Sequence, residues 1–157
     1  MNDSTSKYEL IFSTLESMVL PLESVTDRAY DRGDRFRIAR TVRAKGPSRT
    51  GLTHWLVHRV SKRSDNTLVI GGHVKEDGRL AEAITAANPF HDALFIRGDL
   101  ATDGNDFLLS RYVNERGLLT SIYIDSAGYF FRRYRIGKFF RSLSEYCADD
   151  CIIYLLG

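Results

Sequence analysis

Apolar positions recur along this chain with two spacings, three to four residues in some stretches and two in others, and the switch between them defines the expected elements. Leu80, Ala83, Ile84 and Ala87 fall at i, i+3, i+4 and i+7, which places them on one face of a helix. Asp77 can cap its start. Asn88-Pro89 ends it, because the residue before a proline is pushed out of the helical region. Beyond that stop, Asp103-Gly104 is a favoured tight-hairpin dipeptide, so strands are expected from about Ala93 to Leu100 and from Asp106 to Val113.

Ser6-x-x-Glu9 has the form of a capping box, which predicts that the first helix begins there. Tyr8, Ile11, Phe12, Leu15, Met18, Val19 and Leu22 continue it, and Pro21 ends it at about Leu20. Leu22 to Asp34 reads as a loop. Phe36, Ile38 and Val42 then alternate with Arg35, Arg37, Thr41 and Arg43, the pattern of a half-buried strand with a basic outer face. Lys45-Gly46-Pro47-Ser48 is a turn, Leu52 to Val60 a strand apolar on both faces, and Asn66 to Val74 a third strand with glycines at 71 and 72. Three near neighbours suggest an antiparallel meander.

Residues Arg116 to Asp150 admit two readings. Leu119, Ile122, Tyr123, Ala127, Phe130, Phe131 and Tyr134 follow helical spacing, whereas Leu118, Thr120, Ile122 and Ile124 fit one face of a strand turning at Ser126-Ala127-Gly128. The helix is preferred here because the pattern runs on through Ile136, Phe139, Phe140, Leu143 and Cys147. Ile152 to Leu156 closes the chain as a strand or docked tail. The expected fold is a single α+β domain over residues 1–157: an antiparallel sheet of about five strands, packed by an N-terminal helix, a short central helix and a long C-terminal helical region.

Composition narrows the class. The chain has 157 residues, 43% hydrophobic and 27% charged, as in an ordinary globular domain. Such a chain buries roughly two thirds of its unfolded surface without help from disulfides or metals. No apolar run reaches the ~18 residues of a membrane span, and MNDSTSKYE lacks a signal-peptide pattern, so a cytoplasmic protein without membrane insertion is expected. The net charge of +2 hides an uneven distribution: Arg28 to Arg63 holds eleven Lys or Arg against two acids, a local charge of +9. Such a field draws phosphate backbones or acidic protein surfaces.

Candidate chemistry is sparse. His54, His58, His73 and His91 with Cys147 and Cys151 match no usual zinc spacing, so two reduced thiols and no metal are expected. No P-loop, dinucleotide fingerprint or Gly-x-Ser-x-Gly elbow occurs, and neither catalytic residues nor a cofactor is assigned. Ser121-Ile122-Tyr123 with Tyr134-Arg135-Ile136-Gly137 resembles the GIY-YIG nuclease signature, with serine for its first glycine. Arg132 to Gly137 resembles the loop by which GNAT acyltransferases seat coenzyme A, with Arg135 for a glycine. The cations Arg132, Arg133, Arg135, Lys138 and Arg141, interleaved with Tyr129, Phe130, Phe131, Tyr134 and Phe139, also carry the ingredients of nucleic-acid binding.

The order helix, three strands, helix ending in Ala-Asn, two strands and C-terminal helix resembles class I type III secretion chaperones and the related YbjN-like proteins. Leu80 to Asn88 carries most of the resemblance, followed by Asp99 to Val113. It implies a non-enzymatic homodimer that holds an extended segment of a secreted effector. In that reading Trp55 and Val57 share a strand face and capture the partner, while Arg35, Arg37 and Arg43 steer an acidic one.

Overall fold

A computed structural model describes residues 3–45, 51–71, 77–100 and 104–157. Helix α1 (Asp3–Glu16) and a short 3-10 turn (Leu22–Ser24) lead into α2 (Arg32–Ala39) and β1 (Thr41–Ala44). Helices and strands then alternate: α3 (Leu52–Lys62), β2 (Thr67–Gly71), α4 (Asp77–Ala87), β3 (Leu94–Arg97), α5 (Asn105–Arg116) and β4 (Leu119–Asp125). Two helices, α6 (Ala127–Arg133) and α7 (Ile136–Ser144), precede β5 (Cys147–Leu156).

The five strands form one sheet in the order β1-β5-β4-β2-β3, and every neighbouring pair is parallel. This corrects the antiparallel meander. A helix intervenes between each strand and the next, and such crossovers return the chain in the same direction. Because both sheet faces are covered, the inner strands lose polar alternation. Leu68 and Ile70 face one helical layer and Val69 the other; Ile122 and Ile124 are likewise opposed by Tyr123. One layer holds α1, α3 and α4, the other α2, α5, α6 and α7.

Several expected elements change type. The predicted strand around Phe36 and Ile38 is α2, begun by a capping box in which Asp31 and Asp34 satisfy each other's amides. Phe36 and Ala39 are buried there while Ile38 points to solvent. Leu52 to Val60 is helical, with Trp55, Leu56 and Val60 inward. Asp106 to Val113 lies within α5 rather than in a hairpin strand, and Gly104, with φ 75°, precedes it in the left-handed region. Asp103 lies outside the described residues, as do Gly72 and most of the turn proposed at Lys45 to Ser48. The expected C-terminal helix begins instead as β4 and turns at Ser126, the alternative reading of that stretch. The first helix starts earlier than its supposed capping box and stops at Glu16, short of Leu20. The central helix and the strands at 67–71, 94–97 and 152–156 lie where the pattern put them.

Candidate ligand site at the switch point of the sheet

β2 and β4 are hydrogen-bonded neighbours, yet the chain leaves their carboxyl ends in opposite directions. α4 follows β2 into one layer, and α6 follows β4 into the other. Where neighbouring strands diverge in this way a crevice opens outside their carboxyl ends, the place where open doubly wound sheets bind ligands.

Gly71 and Asp125 are paired in register at this edge. The next residue after Asp125 is Ser126, with φ 52° and ψ 48°, the only non-glycine with positive φ among the described residues. A left-handed L-residue costs ~1–2 kcal/mol, and strain of this kind collects at functional positions. The Ser126 side chain is half-buried and has no hydrogen-bond partner among the described residues; its carbonyl accepts from the Phe130 amide at 3.0 Å, starting α6. Gly157 closes one side: its carbonyl accepts from the Gly128 amide at 3.2 Å, and its own amide donates to the Ala44 carbonyl at 2.9 Å. A Cβ on Gly157 would lie 3.4 Å from the Ser126 Cα, so the two backbones are in contact. Across the edge, the Asn105 amide group donates to the carbonyls of Arg97 and Asp99 and ties the start of α5 to the end of β3. Ser126 thus lies where β2 and β4 diverge, its left-handed backbone against Gly157 and its hydroxyl without a hydrogen-bond partner among the described residues.

Two polar clusters elsewhere are structural. Before β2, Asp65 accepts from the hydroxyls of Thr120 at 2.8 Å, Ser121 at 3.0 Å and Thr67 at 3.1 Å, with Arg63 at 3.6 Å. Burial alone would raise its pKa, but those hydrogen bonds and Arg63 outweigh it and hold the carboxyl below its ordinary value. Between α1, α3 and the sheet, Arg59 pairs with Glu16 at 2.9 Å and Glu9 at 3.6 Å, beside the stacked rings of Tyr123 and Tyr154.

The residues expected to bind a partner are dispersed. Trp55 is fully buried, stacked on Phe12 at 3.9 Å, and its indole N–H donates to Glu9. Val57, two residues on, shares no helix face with it. Arg35 and Arg37 belong to α2 in the opposite layer, and Arg43 is exposed on the edge strand β1. Arg132, Arg133, Arg135, Lys138 and Arg141, by contrast, are all exposed along α6 and α7, while Phe130, Phe139 and Phe140 are core.

His54 and His58 stand on α3, across the sheet from Cys147 and Cys151, which are buried against the other layer; His73 lies outside the described residues. Among the described residues no three His, Cys, Asp or Glu gather as a metal site. The Cys147 contact, then burial, pushes the Cys151 thiol well up. Sequence reasoning passed over Ser126 because Ile124 stands where the familiar elbow motif has glycine; the remaining signal was a strand reading that turned at Ser126-Ala127-Gly128. No helix among the described residues is long and apolar enough to cross a membrane. No known protein family and no curated protein matches the chain.

Proposed function

We propose that this chain is a ligand-binding α/β domain whose site is the crevice outside β2 and β4, with the Ser126 hydroxyl as its central polar group. The observation that carries this reading is the divergence of two paired strands at Gly71 and Asp125, with a strained serine at the divergence. Small residues around it let a polar ligand approach the backbone closely. The chaperone reading finds less support in this architecture. The element order behind it is not the order of this chain, and the edge strands β1 and β3 each offer four residues for pairing with an extended segment.

The test is a two-dimensional amide NMR titration with a panel of inorganic phosphate, mononucleotides, dinucleotides and amino acids. Saturable shifts centred on Gly71 and Asp125 to Gly128, weakened at least fivefold by Ser126→Gly, are the expected result. Shifts centred on another part of the fold, or unchanged affinity in Ser126→Gly, would defeat the assignment.

A further inference from the structure

The packing of two segments far apart in sequence gathers exposed positive charge on one outer surface. α2 and α7 cross so closely that a Cβ on Gly33 would lie 2.6 Å from the Arg141 backbone nitrogen. On α7, burial of Phe139, Phe140 and Leu143 leaves Lys138 and Arg141 in solvent, one turn apart, and exposed Arg135 precedes them. α6 adds Arg132 and Arg133. On α2, exposed Arg37 stands one turn beyond Gly33, on the flank that meets α7.

The acids on or beside α2 and α7 are Asp31, Asp34, Glu145, Asp149 and Asp150, and three of them are engaged. Asp31 accepts from Arg141 at 3.0 Å, Asp34 accepts from the Asp31 amide, and Asp149 pairs with Arg32 at 2.7 Å. Arg37, Arg132, Arg133, Arg135 and Lys138 have no acidic partner among the described residues. Rings lie beside the charge. Arg132 and Arg133 sit 5.6 and 5.9 Å from the centre of half-buried Tyr129, and Arg133 sits 5.7 Å from half-buried Tyr134.

We infer that this surface binds single-stranded nucleic acid, with phosphates on Arg37, Arg133, Arg135 and Lys138 and unpaired bases against Tyr129 and Tyr134. Free positive charge draws the backbone, and guanidinium planes over aromatic rings extend a stacking platform that accepts any base. Duplex bases are already stacked and have no use for such a platform. The inference rests on other residues than the switch-point crevice, and either can fail alone.

Fluorescence anisotropy of a labelled single-stranded thymidine oligonucleotide tests it on the full chain. Binding should be saturable in low salt and weaken roughly 50-fold between about 50 and 200 mM salt, as expected for about four neutralised phosphates on a single strand. Arg133→Ala with Lys138→Ala, both solvent-facing, should lower affinity and flatten the logarithmic salt slope by about 1.4. Tyr129→Leu should weaken binding severalfold without changing that slope. No binding in low salt, or a slope indifferent to the double substitution, overturns the proposal. So does equal or tighter binding of duplex DNA or of vesicles containing phosphatidylserine, which would assign the surface to general anion attraction or to a membrane.

Discussion

Single residues show most directly where this fold has no slack. A Cβ on Gly33 would meet the backbone of Phe140 and Arg141 at 2.6 to 2.8 Å, and backbone cannot swing aside as a side chain can. Gly33→Ala should therefore destabilise the domain by about 2 kcal/mol in urea unfolding, with the loss located at the α2–α7 contact. Ser126 has the opposite sign: glycine at φ 52° relieves the left-handed strain, so Ser126→Gly should raise the unfolding free energy by about 1 kcal/mol while removing the hydroxyl. Gain of stability with loss of binding would mark a residue kept for its chemistry. Asp65 ionises more readily in the fold than in the unfolded chain, so its contribution is complete above the unfolded carboxylate pKa of about 4 and is lost as pH falls through the lower folded value. Asp65→Asn should cost about 1–2 kcal/mol at neutral pH and flatten the decline in stability below about pH 4, measured by denaturation at stepped pH.

Among the elements, legibility followed how faithfully apolar side chains mark the buried face. α4 was readable because Leu80 and Ile84 are buried at i and i+4. α2 was not. Ile38 is 54% exposed and sits two residues from fully buried Phe36, imitating strand alternation. α5 carries Phe107 and Leu108, 67% and 41% exposed, beside buried Leu109, which blurred its helical stripe. In β4 the difficulty was the reverse, since Ile122, Tyr123 and Ile124 are buried on both faces and no period survives. Reading α3 as a strand put Trp55 on a supposed partner face, whereas it is buried at the junction of α1, α3 and the sheet. Trp55→Ala should therefore cost about 3–5 kcal/mol in thermal or chemical unfolding, with no selective loss of partner binding.

At the scale of the molecule, the direction of the sheet was hidden because it depends on which strands pair, and local pattern carries no such information. The cations from Arg132 to Arg141 were legible as a run, but the contribution of Arg37 was not, since α2 meets α7 only through the crossing at Gly33. The +9 segment was a misleading unit. Arg32 and Arg40 spend their guanidinium groups on the carbonyls of Ser144, Cys147, Leu20, Asp150 and Cys151, holding α2 to the start of β5. With the crevice at the carboxyl edge and the cations along α6 and α7, two readouts should separate. Ser126→Gly is expected to leave oligonucleotide affinity within twofold of the parent, and Arg133→Ala with Lys138→Ala to leave the shifts at Gly71 and Asp125 intact.

Gly157 joins the edge strand β1, through Ala44, to the first turn of α6, through Gly128, in direct backbone contact with Ser126. Anything fused after Gly157 therefore departs from the domain at the mouth of the crevice. A purification tag, a fluorescent reporter or a second domain attached there stands as a neighbour to the site, able to screen it or to reach into it.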